Sequence, residues 1–252
     1  MARSNTKHHR AYMDGYDISG YARALPSIAW MFEAVPESAL SDGVKNIALG
    51  RADLDVGALN VMLDNDAAGA FALASSGSGE KNVAFAIGTN AAPAAGDPVF
   101  AWKLKQAGYA GEQGSGFVMA NVGFGGASSE GVLTYSKPWG VCLHPFGAAT
   151  GANTAVGIDD VGAPSTAGGI FVYHLFSSNG TVTLTAQEAS TNSNGSFANI
   201  TSATSGSITA SVSPKHGFVE LGTSAAIKRY LRWQLSFGTA STATFFAAFI
   251  RG

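Results

Sequence analysis

The chain has 252 residues and a net charge of −2; 46% of it is apolar and 13% charged, where an ordinary globular domain carries about 25% charge. That length suits one large β domain or two smaller ones with an ample core. The near-neutral balance supplies no basic field for nucleic acid, and the single cysteine, Cys142, excludes an internal disulfide framework and a four-cysteine metal site. With so few charges, the surface must be built from Ser, Thr, Asn, Gly and Ala, which suits a chain covered by copies of itself, since charge is depleted at interface cores.

In chain order, residues 1–10 (MARSNTKHHR) read as a flexible arm whose Lys7 and Arg10 could reach a neighbouring subunit. The segment is basic and polar with no apolar run after it, which predicts no secretory signal and assembly in a cytoplasm. Residues 12–18 are strand material with an Asp14-Gly15 turn inside, and 28–32 form a short apolar run. Leu40, Val44 and Ile47 recur at helical spacing, so 37–47 predict a short helical turn. From 52 to 63 the pattern alternates as one strand, with Leu54, Val56, Ala58 and Asn60 on one face and Asp53, Asp55, Gly57 and Leu59 on the other. Asp64-Asn65-Asp66 offers N-cap chemistry for a helix over 67–75, ended by Ser76 to Gly79. Strands are predicted over 81–87, 99–104 and 116–124, with 105–115 a turn-rich connection that forms a long hairpin excursion.

Beyond Pro138 the texture is Ser/Thr/Asn-rich, and strands are predicted over 170–176, 181–188, 206–212, 217–221, 227–237 and 243–250. In the clearest, Leu231, Trp233, Leu235 and Phe237 face the core and Arg232, Gln234 and Ser236 face out. The last is apolar on both faces, so it is either central or covered by a neighbouring subunit. The expected fold is mostly β, divided near residue 137 into 11–137, a β domain with one flanking helix, and 138–252, an all-β sandwich.

The opening AYMDGYDISGYARAL (11–25), the segment ALSDGVKNIALGRADLDVGALNVMLD (39–64), the helix AAGAFALASS and the strand NVAFAIG stand in an order that resembles the major tail tube protein of long-tailed, non-contractile phages. The resemblance covers roughly 10–135. The C-terminal half, with RYLRWQLSFGTASTATFFAAFIRG, looks like β-sandwich domains appended to phage virion proteins. The resemblance implies a tail-tube-like β-sandwich or barrel and a structural virion protein, with six copies closing into a ring and rings stacking into a channel. The implied partners are copies of itself and other tail proteins such as the tape measure and tail terminator. DNA would pass through without specific binding, and no cofactor or membrane anchor is implied. Asp53 and Asp55 are candidates to line that lumen, where acidic groups avoid phosphate attraction; an ordinary solvent-facing strand accounts for them equally. The competing reading is a capsid-decorating or tail-surface module that recognises host glycans.

Motifs for chemistry are thin. Histidines 8, 9, 144, 174 and 216 form no nucleophile–base pattern with a serine or cysteine, and no G-x-S-x-G elbow is present. No enzymatic activity is therefore expected. The glycine-rich pieces at 77–79 and 111–116 do not match a phosphate loop. Asp159-Asp160 could hold a cation or form an ordinary acidic turn. Asn179-Gly180 and Asn194-Gly195 read as hairpin turns. Trp139, Tyr173 and Trp233 are weighed as a sugar-binding face, with packing favoured.

Overall fold

The computed structural model describes residues 8–22, 26–36, 47–62, 79–88, 91–113, 118–127, 139–160, 164–222 and 224–252. Among them the strands are β1 (His9–Met13), β2 (Tyr16–Asp17), β3 (Ile28–Pro36), β4 (Ile47–Val56), β5 (Leu59–Met62), β6 (Glu80–Ile87), β7 (Pro98–Gln113), β8 (Val118–Ala127) and β9 (Trp139–Ala149). They continue as β10 (Ile158–Asp159), β11 (Gly169–Ser178), β12 (Thr181–Ala189), β13 (Ala198–Thr204), β14 (Ile208–Thr209), β15 (Lys215–Glu220), β16 (Tyr230–Phe237) and β17 (Ala243–Arg251). The described residues contain no α-helix. The helix predicted over 67–75 falls outside them, as does the helical turn up to residue 46.

Ten strands form one antiparallel sheet in the order β15-β11-β17-β9-β7-β6-β1-β2, with β8 on the far half of β7 and β5 on β8. A second sheet runs β10-β16-β12-β13 with β14 beside β12, and β3 and β4 pair as a two-stranded ribbon.

The centre of the fold is the β11–β17 pair. Successive side chains of a strand point to opposite faces, and here both faces are covered. Ile170 and Val172 of β11 join Phe246, Ala248 and Ile250 of β17 in a core with Tyr12, Phe85, Phe100 and Trp102. Their neighbours Phe171, Tyr173 and Leu175, with Phe245, Ala247 and Phe249, enter a second core with Leu184, Ala186, Leu231 and Leu235 of the smaller sheet. The doubly apolar last strand is thus central and covered by its own chain.

The expected boundary at 137 lies in 128–138, outside the described residues. Across it, Pro98 to Phe100 of β7 pair with Val141 to Trp139 of β9, so strands from both sides share one sheet. The second core is drawn entirely from residues beyond 138.

Several expectations are corrected by pairing that local sequence does not encode. His9 and Arg10 belong to β1, laddered against Ile87 and Ala86, so the arm ends before them. The single strand over 52–63 breaks at Gly57-Ala58 into β4 and β5, because Gly57 donates its N–H to Ser27 and a Cβ there would meet Ser27 Oγ at 2.4 Å. The break shifts the alternation: Leu59 and Val61 are buried while Ala58 and Asn60 are exposed. Residues 105–113 are strand rather than turn, since β8 pairs with them as far as Gln113. Asn179-Gly180 is a corner between the two sheets rather than a hairpin turn. The Asn179 side chain accepts N–H bonds from Ser241 and Thr242 there.

Arg232, expected to face out, is 6% exposed. The chain before β13 folds over it: Gln187 Oε1 accepts from its Nε, Ala155 O and Asn194 Oδ1 accept from its Nη1, and the guanidinium sits 4.3 Å from the Phe197 ring centre. On the other face Leu231 and Leu235 enter the core as expected, and Trp233 packs edge-on against His144 and Phe245.

Phe246→Ala is expected to lower the unfolding free energy by about 3–5 kcal/mol through the first core, and Phe245→Ala by a similar amount through the second. Because both residues lie on β17, denaturant unfolding should show one shifted transition in each variant. Two separate transitions would mean that the cores unfold independently.

Candidate assembly surface

Among the described residues, two elements present strand edges that no other described strand pairs with. β3 and β4 pair from Ile28↔Val56 to Pro36↔Ile47, and among the described residues no other strand pairs with either. An isolated two-stranded ribbon is marginally stable in water, and open edges pair readily with other chains. The second such element is the β7–β8 hairpin. The ladder of β7 with β6 ends at Lys105↔Glu80, and residues 107–111 and 113 are exposed on both faces. This stretch, AGYAGEQ, is small, nearly uncharged and carries exposed Tyr109; Val118 is exposed on the facing strand.

Asp53 and Asp55 both lie on this ribbon, in β4, opposite Met31 and Ala29. Asp55 is exposed, and the Asp53 side chain falls outside the described set. Arg10 is exposed on β1, in the large sheet rather than on the ribbon; Lys7 lies outside the described residues. The structure therefore places the two aspartates together and does not join Arg10 to them. The apolar run at 28–32, read as strand material, extends as β3 to Pro36, and the far half of β7 was missed. The small residues of AGYAGEQ carry little strand signal.

The charged and buried polar groups are mostly occupied in holding the fold. Asp159 takes a two-pronged contact from Arg229, and Asp160 another from Arg251, whose Nη1 and Nη2 also donate to Ile227 O and Lys228 O. Each carboxylate of the acidic turn is thus matched by its own guanidinium, which argues against a cation there. Trp139 is exposed but packs edge-on against Phe100, and Tyr173 lies in the second core over Gly217, so these aromatics and Trp233 do not converge on one face.

At the join between the first hairpin and the central strands, Asp14 accepts the Asn82 N–H through Oδ1 and meets Lys81 Nζ at 3.3 Å through Oδ2. Gly15 donates its N–H to Nδ1 of His174, which is 0% exposed. Burial, with a smaller contribution from nearby His216, pushes the His174 pKa down to about 3. Burial also lowers that of His216, against the opposing pull of Asp14. The Cys142 thiol is pushed up by burial and so is a poor nucleophile.

No protein-family model and no curated protein matches the chain. Among solved structures, the crystal structure of the Dit protein of phage SPP1, described as a paradigm of the hub adsorption apparatus in phages infecting Gram-positive bacteria, aligns over 96% of this chain and 99% of that one. The identity is 12% and the TM-score 0.29, a score too low to establish a shared fold.

Two outcomes follow from these groups. The Asp160–Arg251 pair, with side chains 5% and 13% exposed, ties the end of β10 to the end of β17. Arg251→Ala should therefore cost about 3–5 kcal/mol in chemical denaturation, whereas Arg229→Ala, on the exposed pair, should leave the midpoint nearly unchanged. For His174, the unfolded chain takes up a proton near the ordinary value of 6.5 and the folded chain only near 3. Its contribution is therefore fully present above pH 6.5 and is lost at up to about 1.4 kcal/mol per pH unit below it. His174→Asn, which can still accept the Gly15 N–H, should flatten that decline; an unchanged slope would assign it to other groups.

Proposed function

We propose that this chain is a structural subunit of a tailed-phage tail, and specifically a tail tube protein that polymerises into stacked rings around a channel through which DNA passes. The observation that carries the reading is the β3–β4 ribbon, whose outer edges no other described strand covers. Neighbouring copies would extend it into a closed barrel, which is the one arrangement that removes every edge. The exposed β7–β8 hairpin would reach the next subunit or ring. The order of segments over 10–135 that resembles tail tube proteins supports the same reading. Asp53 and Asp55 lie on the ribbon that would form the channel wall, where carboxylates disfavour tight binding of phosphate.

Negative-stain electron microscopy of the purified protein should show rings that stack into tubes, and analytical ultracentrifugation should show concentration-dependent polymers. Ala107→Lys combined with Tyr109→Lys puts charge on the hairpin edge and should abolish the polymers while leaving the melting temperature of the subunit unchanged. A protein that stays monomeric at high concentration overturns the proposal; a ring that never stacks would retain the ring and remove the tube.

A further inference from the structure

Beside the Asp14-Gly15 turn lies an open cleft of about 420 Å³ walled by Tyr16, Asp17, Tyr21, Phe176, Val212 and Pro214. Its walls are set by backbone irregularities. The turn itself has positive φ at Asp14 and Gly15, and a Cβ on Gly15 would come within 2.7 Å of Pro214 Cβ, so the β1–β2 hairpin sits tightly against the segment leading into β15. Phe176 is a bulge residue: the register steps from Leu175↔Phe245 to Ser177↔Thr244 and leaves it no opposite number. On the other flank of β17, Pro145, which has no N–H for the ladder, lies where the register steps from Gly147↔Phe245 to His144↔Ala247. Phe146 is thereby turned to the surface, and its ring meets that of Phe176 edge-on at 4.9 Å. Bulges re-aim side chains and are over-represented beside functional sites.

Tyr16, Tyr21 and Phe176 also pack against the first core, whereas Val212 and Phe146 are held where folding gains little from them. Val212, on the cleft wall, is 97% exposed, and Phe146 is exposed beside Phe176. Asp17 uses Oδ1 to accept both the N–H and the hydroxyl of Ser19; its Oδ2 is not engaged by that turn. An ionised carboxylate only accepts, so a ligand meeting it must donate. Tyr16 and Tyr21 add apolar ring bodies with polar tips.

We propose that this cleft binds a neutral saccharide, with the apolar C–H face of a sugar ring against the Tyr and Phe side chains and its hydroxyls donating to Asp17. The volume lies in the range of small-ligand sites, roughly 300–1,000 Å³, and the open side lets a longer glycan continue into water. An acidic sugar would meet the Asp17 carboxylate unfavourably. An organic cation could use the same rings and carboxylate, but such cages close around the charge, whereas this cleft is open. The proposal is independent of the assembly reading, since it concerns one subunit.

The test is saturation-transfer NMR on the full chain with glucose, galactose and N-acetylglucosamine as probes, alongside choline and N-acetylneuraminic acid. At least one neutral sugar should receive saturation. Asp17→Asn, which preserves the Ser19 turn, and Val212→Arg, at a nearly fully exposed position, should each weaken binding at least about tenfold with unchanged melting. No transfer to any of the three neutral sugars at tens of millimolar, transfer to choline or N-acetylneuraminic acid alone, or sugar binding that both variants leave intact would each overturn the proposal.

Discussion

Every layer of this molecule is organised by one constraint: β11 and β17 are adjacent strands apolar on both faces, and neither face can be left in water. Each buried Phe on them contributes about 1.5–3 kcal/mol relative to exposure, so both sides must be covered. One side takes the N-terminal strands β1, β6 and β7, the other the sheet of β12 and β16. The two cores are therefore two faces of one wall. The polar exception on that wall, His174, is tolerated because it is neutral and accepts the Gly15 N–H. That bond locks the first hairpin against the centre and so sets the cleft beside it.

The periphery is built on the opposite principle. Among the described residues no other strand pairs with the β3–β4 ribbon, and the far half of β7 is built from small, sparsely charged residues beyond the end of its ladder with β6. A free monomer ordinarily guards such edges with lysine, proline or short strands. Here β7 extends for sixteen residues, and no lysine or proline occurs beyond Lys105 within it. The contrast between a saturated centre and unguarded edges is the physical content of the assembly reading.

The few charges serve the seams. Asp14–Lys81 fixes the first hairpin to β6, Asp160–Arg251 fixes β17 to the smaller sheet, and Glu188 accepts the Lys228 N–H where β16 begins. Groups that in isolation suggest a cation site or an outward-facing strand are thus absorbed by partners distant in sequence. Arg232 is the sharpest case, since alternation places it outside β16 and the loop through Phe197 then closes over it.

Periodicity and turn chemistry by themselves determined the antiparallel β texture, the Asp14-Gly15 hairpin, the span of β16 and the two-faced apolarity of β17. These depend on residues within a few positions of one another. Tertiary structure alone decided that β17 is a shared wall rather than a surface for a neighbour, that β7 continues through AGYAGEQ, and that Gly57-Ala58 splits one strand into two. It also decided that Phe176 and Phe146 are turned outward together. Each of these depends on a ladder partner tens of residues away, and in a sheet the partner, rather than the local sequence, sets register, bulges and the face that is buried.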